Sequence, residues 1–218
     1  MKENGKRLLC IGCVFNIVFI IWTLLIQRVD VRPLGVRGTN IGFATINCWF
    51  HKLTGVHMKI YTITDWLGLV PIFICVIFGV IGFVQWIKRR SIHKVDYDII
   101  LLGIYYILVI FGYLIFEMIP INYRPILIEG FLEASYPSST TMLVMCVMPT
   151  AIMQFNARIK NSGFKKYVNI LITAFIAFMV IARLLSGVHW LSDIIGGALL
   201  SSGLVMIYYS VSNVANHK

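Results

Sequence analysis

The stretch Arg183-Leu-Leu-Ser-Gly-Val-His189-Trp-Leu-Ser-Asp193 sets an arginine, a histidine and an aspartate at the junction of two apolar runs. His189 and Asp193 are four residues apart, so on a helix they share a face and can touch. A carboxylate that accepts a proton from one imidazole nitrogen fixes the tautomer and leaves the other nitrogen's lone pair free. That arrangement makes a histidine a base or a nucleophile. Arg183 lies six residues before His189, across Ser186-Gly187, where a helix is expected to break. A planar, permanently charged guanidinium there suits phosphate. A plain helix start would also favour Asp193, through the macrodipole. Three ionisable groups in an apolar setting point instead to function.

Outward from this stretch, the 218-residue chain is 59% hydrophobic with a mean hydropathy of +0.84. A soluble domain cannot hide that much apolar surface, so the chain reads as an all-α, polytopic membrane protein. A span needs about 20 apolar residues to cross ~30 Å of hydrocarbon. Six runs qualify, at roughly 8–27, 66–87, 99–120, 138–155, 167–185 and 190–209. Residues 1–218 are expected to form one integral membrane domain, with 28–65 as a long outer loop. The first run has a basic end, but no small-residue cleavage site follows, so it is expected to stay as an anchor.

The net charge of +10 falls between the apolar runs. That placement argues against a nucleic-acid partner and makes the charge a topology signal. Twelve lysines and arginines, among them Lys2, Lys6, Arg7, the Lys88–Lys94 turn, Arg158–Lys166 and Lys218, fall at one set of span ends. Seven fall at the other, five of them in the long first loop. Both termini are therefore expected in the cytoplasm, with Arg183–Asp193 facing outward from the cell membrane. Cys10 and Cys13 form a C-x-x-C inside an apolar run, without a second pair or histidines, and read as inert thiols.

A second informative stretch runs from Glu117 to Thr141. It carries Arg124-Pro125 and then Pro137-Ser138-Ser139-Thr140-Thr141, which reads as a helix start with hydroxyl residues in its first turn. A helix N-terminus is a ready anion site, and topology places this one on the same membrane face as Arg124, Arg183 and His189. In the first loop, Ile46–Thr54 reads as an interfacial helix, with Trp49 and Phe50 at headgroup depth. His51 and His57 read as surface histidines. Gly196, Gly197 and Gly203, with Ser201 and Ser202, give the last span a small-residue packing face.

Taken together, these pieces resemble the type 2 phosphatidic acid phosphatase family of membrane lipid phosphatases. The family pattern is Lys-x6-Arg-Pro, Pro-Ser-Gly-His and Ser-Arg-x5-His-x3-Asp. The chain shows Glu117-x6-Arg124-Pro125, Pro137-Ser138-Ser139-Thr140 and Ala182-Arg183-x5-His189-x3-Asp193, in family order, within a core of about residues 100–209. The resemblance implies a six-span fold. It also implies hydrolysis of a lipid phosphate or polyprenyl diphosphate through a phosphohistidine at the extracytoplasmic face.

Carried over position by position, His189 is the nucleophile and Asp193 supports it. Arg124 and Arg183 hold the phosphate oxygens, with Ser138, Ser139 and Thr140 beside them. No metal or cofactor is implied; the partners are a phosphorylated lipid and the membrane. The family's first-motif lysine is Glu117 here, and its second-motif histidine, the acid for the leaving group, is Thr140. Glu117 could replace the acid if partly buried. A diphosphate substrate would need little acid, because its leaving group is itself a phosphate ester with a second pKa of about 6. Two other readings stay open: a catalytically impaired member that binds phosphorylated lipid, and a lipid phosphotransferase.

Overall fold

The structure, a computed structural model, describes residues 3–215; Lys2 and Lys218 of the charge pattern lie outside them. The described residues are mostly helical. Their main helices are α1 (Glu3–Ile26), α2 (Ala44–Thr54), α3 (Met58–Leu67), α4 (Leu69–Arg89), α5 (Tyr97–Met118), α6 (Ser139–Arg158), α7 (Ser162–Leu185) and α8 (Leu191–Ala215). Among the described residues, six stretches are long and apolar enough to cross a membrane: α1, α3 with α4, α5, α6, α7 and residues 191–213 of α8. These match the six expected runs to within a few residues, except that the second begins at Met58. The chain is a multi-pass membrane protein.

α6 and α8 are the central spans, with half of their most apolar stretch buried against about a fifth for the others. Val144, Val147 and Ala151 of α6 pack in one core with Leu102, Tyr105, Tyr106 and Val109 of α5 and Leu200, Val205 and Tyr208 of α8. Outward-facing Ile17, Val80, Ile107, Phe111 and Ile181 stay exposed, as lipid-facing residues should. α1 lies along α8. At Gly12 an added Cβ would come within 3.0 Å of the Gly203 carbonyl, and Ser210 Oγ donates to the Gly5 carbonyl at 2.7 Å. Small residues let the two backbones approach this closely.

The segment expected as a long loop is largely helical. α2 covers the proposed interfacial segment, and residues 58–65 belong to α3. Helix α3 meets α4 at Gly68, whose N–H donates to the carbonyls of Thr64 and Asp65. Gly187, at φ +70°, brings its backbone against Gly55, so closely that a Cβ would fall 2.0 Å from the Gly55 carbonyl oxygen. His57 N–H donates to the Ser186 carbonyl at 2.9 Å. The first loop is thus docked on the α7–α8 turn that carries the site.

Candidate active site

Between α5 and α6 the chain folds into a small hairpin. Glu129 and Gly130 both have positive φ (50° and 84°) between the bridged pair Ile128 and Phe131. Positive φ at both central residues is what a type I′ turn requires. The hairpin pairs Tyr123 with Ala134 and sets Arg124 opposite Glu133, the Arg124 N–H donating to the Glu133 carbonyl at 3.1 Å. Arg124 Nε lies 2.9 Å from Glu133 Oε2, an ion pair without hydrogen-bond alignment.

The base of the hairpin and the N-cap of α6 together grip the His189–Asp193 segment at four points. His189 Nδ1 lies 3.1 Å from the Ser135 carbonyl, Trp190 Nε1 donates to the Tyr123 carbonyl at 2.8 Å, Asn122 Nδ2 donates to Asp193 Oδ1 at 3.2 Å, and Ser138 N–H donates to the Asp193 carbonyl at 3.1 Å. A carbonyl only accepts, so Nδ1 carries the proton and the lone pair sits on Nε2. Arg124 Nη1 points at that lone pair from 3.4 Å.

The sequence suggested that Asp193 itself fixes this tautomer. The structure gives that bond to Ser135, because His189 precedes α8 and is not on it. Asp193 is the third residue of α8, and its Oδ2 accepts from the Trp190 N–H at 2.9 Å, closing the helix start as in a capping box. The same oxygen stands 3.8 Å from Nδ1, near enough to balance a positive ring. Burial first, then the guanidiniums of Arg124 and Arg183, hold the His189 pKa well below its usual value. The charged ring is thus disfavoured and the imidazole is neutral near pH 7.

Arg183 is buried at the end of α7 and lies under α3. Its Nη1 donates to Thr64 Oγ1 at 3.2 Å, and Nη2 is 3.9 Å from Asp65 Oδ1. Its Nε has no hydrogen-bond partner among the described residues. Tyr61, on the same face of α3, lies against both arginines, its ring centroid 4.7 Å from the Arg183 Cζ and 5.9 Å from that of Arg124.

A polar chamber of about 210 Å³ opens beside this cluster, lined by Glu117, Arg124, Glu133, Ser139 and His189 among others. Ser139 therefore faces it. Ser138 does not; it is fully buried as the N-cap of α6, its Oγ accepting from the Thr141 N–H at 3.5 Å. Thr140 does not line the chamber either. It lies along an apolar groove of about 550 Å³ with Leu69, Ile72, Val109, Leu143 and Val147, between α4, α5 and α6. Tyr113, Ser139 and Met142 border both spaces, so the groove continues from the chamber. Glu117 lines the chamber and is exposed, without the partial burial that would suit it to the acid role.

Sequence reading did not single out Asn122, Ser135, Glu133 or α3. The spacing of Tyr61, Thr64 and Asp65, which places them on one helical face, was the available signal for α3. Among the described residues, no three histidine, cysteine, aspartate or glutamate side chains gather into a set that could hold a metal ion.

A sequence model of the PAP2 superfamily matches residues 39–216 of the chain. The fold is similar to the crystal structure of the first transmembrane PAP2 type phosphatidylglycerolphosphate phosphatase from Bacillus subtilis. The TM-score is 0.65 and the identity 18%, over 95% of this chain and 97% of that one. No curated protein matches the chain.

Proposed function

The chain belongs to the PAP2 superfamily, and on that footing we propose that it hydrolyses a lipid diphosphate through a phosphohistidine on His189, at the outer face of the membrane. One observation carries this reading. Two buried guanidiniums, one with an unpartnered Nε, stand beside a neutral imidazole whose Nε2 lone pair faces the first of them. Buried cations with partial carboxylate balance are arranged for an anion.

The terminal phosphoryl group sits in the chamber against Arg124 and His189; Arg183 does not line the chamber and supplies the second positive charge from beside it. His189 Nε2 attacks phosphorus in line, and the bond to the leaving oxygen breaks with its electron pair. The ring gains positive charge, which Asp193 balances from 3.8 Å. Water then attacks phosphorus, the P–N bond breaks with its electrons returning to Nε2, and the water's proton passes to solvent.

The leaving group decides the substrate class. Thr140 stands where the family places its acid, and here it lines the groove, outside the chamber. A phosphate-ester leaving group needs little protonation, whereas an alkoxide does. The adjoining apolar groove suits a hydrocarbon chain, and its continuity with the chamber supports a lipid as the diphosphate's carrier.

The test is a phosphate-release screen of purified protein on polyprenyl diphosphate, phosphatidylglycerophosphate and phosphatidic acid, with acid-quench trapping of labelled phosphate. Turnover on the diphosphate and a phosphoenzyme absent from His189→Ala are expected. Binding of these lipids without release would assign the chain to lipid-phosphate binding instead. Transfer of label to an alcohol in preference to water would make it a phosphotransferase.

A further inference from the structure

Arg124 and Arg183 are like charges, both buried, arriving from a hairpin and from the end of a span. Their carboxylate neighbours only partly offset them. Asp65 is 3.9 Å from Arg183 and 60% exposed, and the Glu133 contact with Arg124 is not aligned for a hydrogen bond. The group that touches both guanidiniums is the Tyr61 ring, 4.7 Å and 5.9 Å from their Cζ atoms. An aromatic face carries negative electrostatic potential and attracts a guanidinium within about 6 Å. A ring against two cations therefore draws both toward it and offsets their repulsion.

We propose that Tyr61 is a positioning residue that holds the Arg124–Arg183 pair at the separation that grips a phosphoryl group. It acts through the arginines and touches no reacting atom. α3 supplies the whole device: Thr64 fixes the edge of Arg183 while Tyr61, three residues earlier on the same face, covers its plane. The docking of Gly55–His57 on Ser186–Gly187 keeps α3 in place. The proposal rests on the phosphate-site reading above and adds the ring that assembles it.

Equilibrium binding of inorganic phosphate to the detergent-purified full chain tests it, alongside KM and kcat on the diphosphate. Tyr61→Leu should weaken orthophosphate binding and raise KM about tenfold, with a smaller change in kcat. Tyr61→Phe, which keeps the ring face, should stay within about twofold of wild type. Fluorinated phenylalanines at position 61, alike in shape but weaker at the ring face, should lose affinity in step with fluorination. A simple packing role would leave that series flat. Wild-type affinity in Tyr61→Leu, equal losses in Leu and Phe, or a flat fluorine series overturns the proposal while leaving the phosphate site standing. A wild-type protein that binds no orthophosphate overturns both.

Discussion

A single carbonyl sets the chemistry of His189. Because the Ser135 oxygen accepts from Nδ1–H, the lone pair of the ring is committed to Nε2. Burial and two nearby cations disfavour the charged ring, so protonation is pushed to lower pH than for free imidazole. The neutral form should persist as pH falls through 6.5 and be lost only well below it. Imidazole NMR signals that vanish in His189→Gln should show this; a midpoint at or above 6.5 contradicts it. Glu117 offers a second residue-scale test. It is exposed at the chamber rim, and a diphosphate needs little acid. Glu117→Gln should therefore cut kcat on the diphosphate by less than about tenfold, where a general acid is typically worth about 10²–10⁴. A loss of 10² or more would return the acid role to Glu117.

Among the elements, the spans were legible and their connections were not. Long apolar runs announce themselves, and Pro137-Ser138 marked the start of α6 to within two residues. Two connections escaped. The Tyr123–Ala134 hairpin turns on positive φ at Glu129-Gly130, a backbone property that Glu129 does not advertise. Helix α3 was read as loop because its polar face, Tyr61, Thr64 and Asp65, interrupts the apolar run of α4. Of the site, Arg124, Arg183, His189 and Asp193 could be named from sequence, whereas Glu133 and Asp65 were not. The Ser135 and Tyr123 carbonyls could not, since every residue has one. The α3 docking also yields an element-scale prediction. Gly187→Ala puts a Cβ at a positive φ and 2.0 Å from the Gly55 oxygen. It should cost more than about 1 kcal/mol and weaken phosphate binding by displacing α3 from Arg183. Thermal unfolding and orthophosphate titration should move together; an unchanged melting point would refute the packing argument.

Across the whole molecule, the charge pattern of the described loops sets the orientation we propose. Lys88, Arg90, Lys94, Lys160 and Lys165 belong at the cytoplasmic ends and Lys52 and Lys59 at the outer ones. In a variant stripped of its five cysteines, single cysteines at Lys52 and at Lys160 should react oppositely with a membrane-impermeant maleimide on intact cells, only the first being labelled. The reverse pattern would turn the site inward. The seam between α1 and α8 reaches beyond architecture. Membrane spans are made N-terminus first, yet α1 lies along α8, from which four other spans separate it among the described residues. Trp22 of α1 donates to the Ser192 carbonyl within the first turn of α8. The His189 segment therefore gains its α1 support only once α8 has been made, and a chain halted before α8 lacks this seam.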